Sequence, residues 1–148
     1  MLYASLDVLE FKHPGRKDDL ISLCYLLCVM FNEGRFPNLN ESEIGDYLNK
    51  GYTLQQAEYY HVLNAKTKST IADIITIPSE SYRAFVHSIF RLGFKDEPDY
   101  LHLISLLYQA INDLESSQDT STEDFSFSSN PGLHSQRLPQ IFRLKRIG

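Results

Sequence analysis

Between Leu20 and Phe31 every residue except Ser22 is apolar or aromatic, and the run is introduced by Arg16-Lys17-Asp18-Asp19. A surface helix carries a single apolar stripe, whereas a segment that is apolar nearly all round has to be surrounded by other elements. The run is well short of the roughly 20 apolar residues that cross a bilayer, so it predicts the central helix of a soluble core. Asp18 or Asp19 can accept hydrogen bonds from the free N–H groups of its first turn. Such a helix needs a shell, and the rest of the chain has to supply it.

Helical candidates for that shell follow in order. Glu41 to Asn49 reads as a short helix stopped near Gly51, and Leu54 to Lys66 as a longer one with Leu54, Ala57, Tyr59, Val62 and Leu63 on its apolar face. Ser79 to Leu92 places Tyr82, Phe85, Val86, Ile89 and Phe90 at i, i+3, i+4, i+7 and i+8, one face of a 3.6-residue period, and Gly93 ends it. Asp96 reads as the N-cap of a last helix, with Pro98 in its first turn and Asp99 near its positive end. Tyr100, Leu103, Ile104, Leu107, Tyr108 and Ile111 then mark its inward face towards Leu114, the Tyr108 hydroxyl reaching water. Ser69 to Ile77 is rich in β-branched residues and fits either an extended segment or a helical turn. Met1 to Phe11 reads as an irregular or extended entry, His13-Pro14-Gly15 as a turn, and Gly34 as the left-handed stop after the central helix. No run alternates long enough for a sheet, so the predicted class is all-α.

Beyond Glu115 the composition shifts. Ser116 to Ser129 is dominated by Ser, Thr, Asp and Glu, and Leu138 to Gly148 mixes bulky apolar with basic residues. Residues 1–115 are therefore expected to form the helical body, and 116–148 a disordered tail, acidic and then basic. Ser116 with Asp119, Thr120 with Glu123 and Ser121 with Asp124 have the spacing of acid-directed phosphorylation. The formal net charge is −5, yet Arg137, Arg143, Lys145 and Arg146 stand in a segment without acids, leaving −9 on residues 1–136. An acidic body argues against nucleic acid as partner, since phosphate binding needs a basic surface. With no secretory signal at the N-terminus, an intracellular location, cytoplasmic or nuclear, is expected, away from membranes. Cys24 and Cys28 lie on the apolar helix and are expected to pack as small hydrophobes.

Self-contained catalytic motifs do not emerge. His13, His61, His87, His102 and His134 are scattered, with no metal-ligand spacing, and the glycines are isolated rather than gathered into a phosphate loop. There is no nucleophile elbow and no nucleophilic-cysteine signature.

A resemblance carries the reading further. Tyr3-Ala4-Ser5-Leu6-Asp7 followed by Arg16-Lys17-Asp18-Asp19-Leu20-Ile21-Ser22-Leu23 resembles the stretch after the activation segment in casein kinase 1-like Ser/Thr protein kinases. Gly34-Arg35-Phe36-Pro37 is similar to that family's Gly-x-hydrophobic-Pro-Trp loop, with Asn38 replacing Trp, and Pro78-Ser79-Glu80 to its Pro-Ser-Glu helix start. Phe94-Lys95-Asp96-Glu97-Pro98-Asp99-Tyr100 resembles the opening of the lobe's last helix, with Lys95 in place of an acid. The matches are in order over residues 3–114, and tau-tubulin kinases share them nearly as well. Leu2 stands where the family commonly has Arg, and Cys24 where it has a small residue.

The resemblance implies part of a kinase large lobe, or C-lobe, restricted to the helices after the activation segment. Asp19 would be the aspartate that opens the central lobe helix and tethers the catalytic loop. Tyr3, Ala4 and Ser5 would belong to the substrate-facing P+1 loop, and Asp7 would be poised to pair with Arg91. The intact family uses ATP and Mg²⁺ to phosphorylate protein Ser/Thr. This chain has no Gly-rich loop, no Val-Ala-Ile-Lys lysine, no His-Arg-Asp and no Asp-Phe-Gly, so no catalytic, cofactor or metal residues are expected in it. The missing parts would lie upstream, and the chain alone is expected to be inactive. Its expected partner is a protein, either a substrate or, if the chain is a kinase-derived binding module, a docking partner.

Overall fold

The computed structural model describes residues 1–119, and they are helical throughout their regular structure, with no strand among the described residues. Residues 120–148, the greater part of the segment expected to be a tail, lie outside the described residues, and with them the two phosphorylation spacings that begin at Thr120 and Ser121 and the basic C-terminal segment.

The central run becomes helix α2, Arg16–Phe31. It is flanked in sequence by a single turn, α1 at Leu6–Leu9, and by α3 at Ser42–Asn49. Helix α4 spans Leu54–Lys68, α5 is one turn at Ile71–Ile74, α6 spans Glu80–Phe90 and α7 spans Tyr100–Asp119. The stretch that fitted either an extended segment or a turn is thus helical at its centre. Thr70 accepts the Asp73 N–H and Asp73 returns to the Thr70 N–H, a capping box that fixes the turn despite its β-branched residues. Helix α7 runs four residues beyond the boundary expected at Glu115.

The core gathers on one side of α2. Cys24, Tyr25, Cys28 and Val29 are buried there with Tyr82, Phe85, Val86 and Ile89 of α6, Leu103, Leu106 and Ala110 of α7, and Ile74 of α5. Helix α6 is the hinge of this arrangement, packing on α2, α5 and α7. Ser79 pins its start twice: the Oγ accepts the Tyr82 N–H at 3.2 Å and donates to Asp113 Oδ2 on α7 at 2.6 Å. Both cysteines are free and fully buried, and burial pushes the Cys24 thiol up to about 12 and the Cys28 thiol up to about 11. They pack as small hydrophobes and hold no thiolate at neutral pH.

Three sequence expectations change here. Asp96 is not the cap of α7: it accepts the Gly93 N–H at 2.7 Å, and Asp99 accepts the His102 N–H at 3.0 Å instead. The Asp96 N–H in turn goes to Gly93 O at 3.2 Å, so Asp96 closes the turn that follows α6 rather than opening α7. The inward face of α7 is Leu103, Leu106 and Ala110, and Ile104, Tyr108 and Ile111 point outward with Leu101. In α4 the buried positions are Ala57, His61, Ala65 and Lys66, while Leu54 is exposed. Gly34 is left-handed as expected, with φ +80° and its N–H donated to Val29 O at 2.9 Å, but it follows Glu33, φ +54°, which takes the C′ position itself.

Candidate functional site

Of the residues singled out by sequence, Ala4, Ser5 and Asp7 are held at the N-terminal end of α2, where the segment from Tyr3 to Lys12 is bolted to the body by side chains from two helices. Asp18, not Asp19, faces inward. Its carboxylate accepts the Ser5 hydroxyl on Oδ1 at 2.6 Å and the Gly15 N–H on Oδ2 at 2.7 Å, and both Asp18 and Ser5 are buried. Ser5 meanwhile caps α1, its Oγ accepting the Val8 N–H at 3.2 Å. One carboxylate therefore fixes the entry segment and the start of α2 together. Gly15 fits this corner because a side chain there would press on Phe94, 3.1 Å from where its Cβ would stand.

A second anchor comes from α4. Lys66 is 2% exposed, and its Nζ lies 4.1 Å from the centre of the Tyr25 ring and 5.5 Å from that of Phe36. The amine donates to the Ala4 carbonyl oxygen. No described carboxylate lies within ion-pair distance of it, and burial pushes the Lys66 amine down to about 7. Tyr59 adds a third link, donating its hydroxyl to Leu9 O at 2.8 Å. Tyr3 itself stays on the surface.

The lowered Lys66 value gives a pH dependence. In the unfolded chain the amine keeps its proton up to its ordinary value of 10.5, but in the folded chain it gives it up near 7. Between those values the unfolded state binds more protons, so stability rises with pH, and below 7 the buried ammonium weighs fully against the fold. The two raised thiols act oppositely once unfolded cysteine ionises near its ordinary 9, which leaves pH 7 to 9 as the clean window. Urea midpoints of the protein should climb across that window, and Lys66→Met should flatten the climb. A methionine variant whose profile runs parallel to the native one would show that another group is responsible.

Asp7 does not pair with Arg91. Lys12 takes Oδ1 at 2.8 Å and Lys17 takes Oδ2 at 2.5 Å, and these two bonds hold the Asp7 carboxyl below its usual range. The lysines are nearer in sequence and reach both oxygens, whereas Arg91 stands exposed at the end of α6. Asp19 is exposed, and no described side chain bonds its carboxylate. It opens a face of α2 that continues at i+4, i+7 and i+11 with Leu23, Leu26 and Met30. Leu23 is half-buried, but Leu26 is 38% and Met30 37% exposed.

Elsewhere the chemistry is sparse. An open cleft of about 390 Å³ lies between α1 and α4, lined by Val8, Leu9, Phe11, Tyr59 and Tyr60 among others, none of them acidic, basic or thiol-bearing. No three His, Cys, Asp or Glu side chains converge to hold a metal among the described residues. His61 Nε2 on α4, Thr76 Oγ1 between α5 and α6, and the Tyr82 hydroxyl on α6 are buried without partners. No helix among the described residues is long and apolar enough to cross a membrane. Sequence reasoning missed Lys66, since a lysine in a polar helix reads as solvated. The available signal was its position three, four and seven residues after Leu63, Val62 and Tyr59, which continues the apolar face predicted for α4. No family model matches the chain, and no solved structure matches it at a significant level.

Proposed function

We propose that this chain is the lower part of a protein-kinase large lobe of the casein kinase 1-like type, a scaffold for catalytic loops that it does not itself carry. The observation behind this reading is the open face of α2. A helix apolar on all sides needs a complete shell, yet on the side that runs from Asp19 through half-buried Leu23, both Leu26 and Met30 keep more than a third of their surface exposed. The resemblance assigns Asp19 to tether a catalytic loop, and the open face begins at that residue. The anchoring of the Tyr3-Ala4-Ser5 segment beside the same helix end supports the reading, because a P+1 loop sits next to that tether. ATP and Mg²⁺ belong to the parts that this chain lacks, so phosphoryl transfer is not assigned to it.

Residues 1–148 alone should move no radiolabel from ATP to a Ser/Thr peptide. Co-expressed with the N-terminal portion of a casein kinase 1-like kinase ending at its Asp-Phe-Gly segment, the chain should form a complex that Asp19→Ala and Leu26→Glu both weaken. Phosphate transfer by the chain alone, or a complex indifferent to both changes, would overturn the proposal. The second reading, a kinase-derived module that binds another protein, draws on the same face: exposed Leu26 and Met30 would receive the partner. It is favoured if the kinase portion fails to bind while a different protein is held by that face and released by Leu26→Glu.

A further inference from the structure

Helix α7 shows a second uncovered apolar surface, independent of the kinase reading. Its outward side carries Leu101, Ile104, Tyr108 and Ile111, spaced three and four residues apart so that they form one continuous stripe. Leu101 is 82% and Tyr108 67% exposed, too much apolar surface on consecutive turns for scattered single residues. The inward side of the same helix is fully used on α6 through Leu103, Leu106 and Ala110.

The surroundings of the stripe select its occupant by charge. Glu115 continues the spacing at one end, Asp99 adjoins the other, and α7 contains no lysine or arginine, while Glu97, before the helix, lies 3.5 Å from Arg16. Residues 1–119 hold 10 basic and 17 acidic side chains, a net −7. A second copy would bring the same acidic helix against this one, and like charges facing each other oppose that pairing. One segment of the chain has the opposite character. Residues 137–147 carry Leu138, Ile141, Phe142, Leu144 and Ile147 among Arg137, Arg143, Lys145 and Arg146, with no acid from residue 130 onward.

Chain length permits the contact. From Ile111 to the end of α7 is about 12 Å at 1.5 Å per residue. The 18 residues 120–137 separate that end from Leu138, and a chain of that length can bridge anything up to about 60 Å. We propose that the C-terminal segment Leu138–Ile147 folds back onto the Leu101–Ile111 stripe of α7, its apolar residues covering the stripe and its cations meeting Asp99 and Glu115.

Paramagnetic labelling of the full chain tests this. The buried, unionised Cys24 and Cys28 leave a cysteine introduced by Gly148→Cys as the reactive thiol. A nitroxide there should broaden the amide signals of Leu101–Ile111 beyond detection in the oxidised label and restore them on reduction. The triple change Arg143→Glu, Lys145→Glu and Arg146→Glu should abolish the broadening, and so should Leu101→Glu, a surface change that leaves the core untouched. High salt should weaken it, since the charges are exposed and screened. Signals that stay sharp in the labelled chain would refute the contact. Broadening that persists after the charge reversal would refute the charge match. Broadening in a mixture of labelled unenriched chain and unlabelled ¹⁵N chain would assign the stripe to a second copy and overturn the proposal.

Discussion

Replacing Asp18 by alanine should lower the unfolding free energy by about 3 kcal/mol, while the same change at Asp19 leaves it within about 0.5 kcal/mol. The two residues are neighbours with the same charge at the same helix end, so the contrast isolates what burial does. Asp18 accepts the buried Ser5 hydroxyl and the Gly15 N–H, and each donor left without a partner costs roughly 1–3 kcal/mol. Loss of a negative charge near the positive end of α2 adds a few tenths of a kcal/mol. Asp19 loses that last contribution alone, and alanine's better helix propensity, roughly 0.7 kcal/mol, offsets it. Urea unfolding at pH 7 measures both variants, read as two-state midpoints with unchanged slopes. A double-mutant cycle with Ser5→Ala should return a coupling of about 1.5–3 kcal/mol, the range of a hydrogen bond to a charged group. Should Asp19→Ala prove the costlier change, the inward aspartate has been assigned to the wrong residue.

Truncating Phe85 to alanine should destabilise the fold by about 3–5 kcal/mol, the range of a large aromatic removed from a close-packed core. Phe85 is 1% exposed, its ring stacked 6.0 Å from that of Tyr82, on the helix that joins α2, α5 and α7. The void left there cannot be filled from one side without moving three helices. Against a total stability of about 5–15 kcal/mol such a loss approaches global unfolding, so thermal melting followed by circular dichroism is a sufficient measurement. Leu54→Ala is the matched control: that residue belongs to the apolar pattern of α4 but is exposed, and the change should stay within about 0.5 kcal/mol. Equal losses at the two sites would mean that the core is not where α6 places it.

Much of this arrangement is written in residue order. The all-round apolar run demanded a central helix, the Phe85–Ile89 pattern specified the face of α6, and Gly34 and Gly93 marked two helix ends that the chain respects. Those features depend on local spacing and local backbone freedom, which any reader of the chain can apply one element at a time. The assignments that failed share a different origin. In α2 and α7 apolar residues cover more than one face, so periodicity says which residues lie together but not which of two faces is covered. Asp18 turned inward towards Ser5, which arrives there from a separate segment, and Leu106 rather than Ile104 is buried on the side of α7 that faces α6. Lys66 is buried by Tyr25 and Phe36, residues more than twenty-five positions away, whose rings accept its cation and whose location no pattern within α4 encodes. A helix period is a property of one segment, whereas the choice between two apolar faces belongs to the contacts that segments make with each other. For that reason the helices of this protein are legible in its residues, while the inward aspartate, the buried lysine and the two open faces belong to the packing.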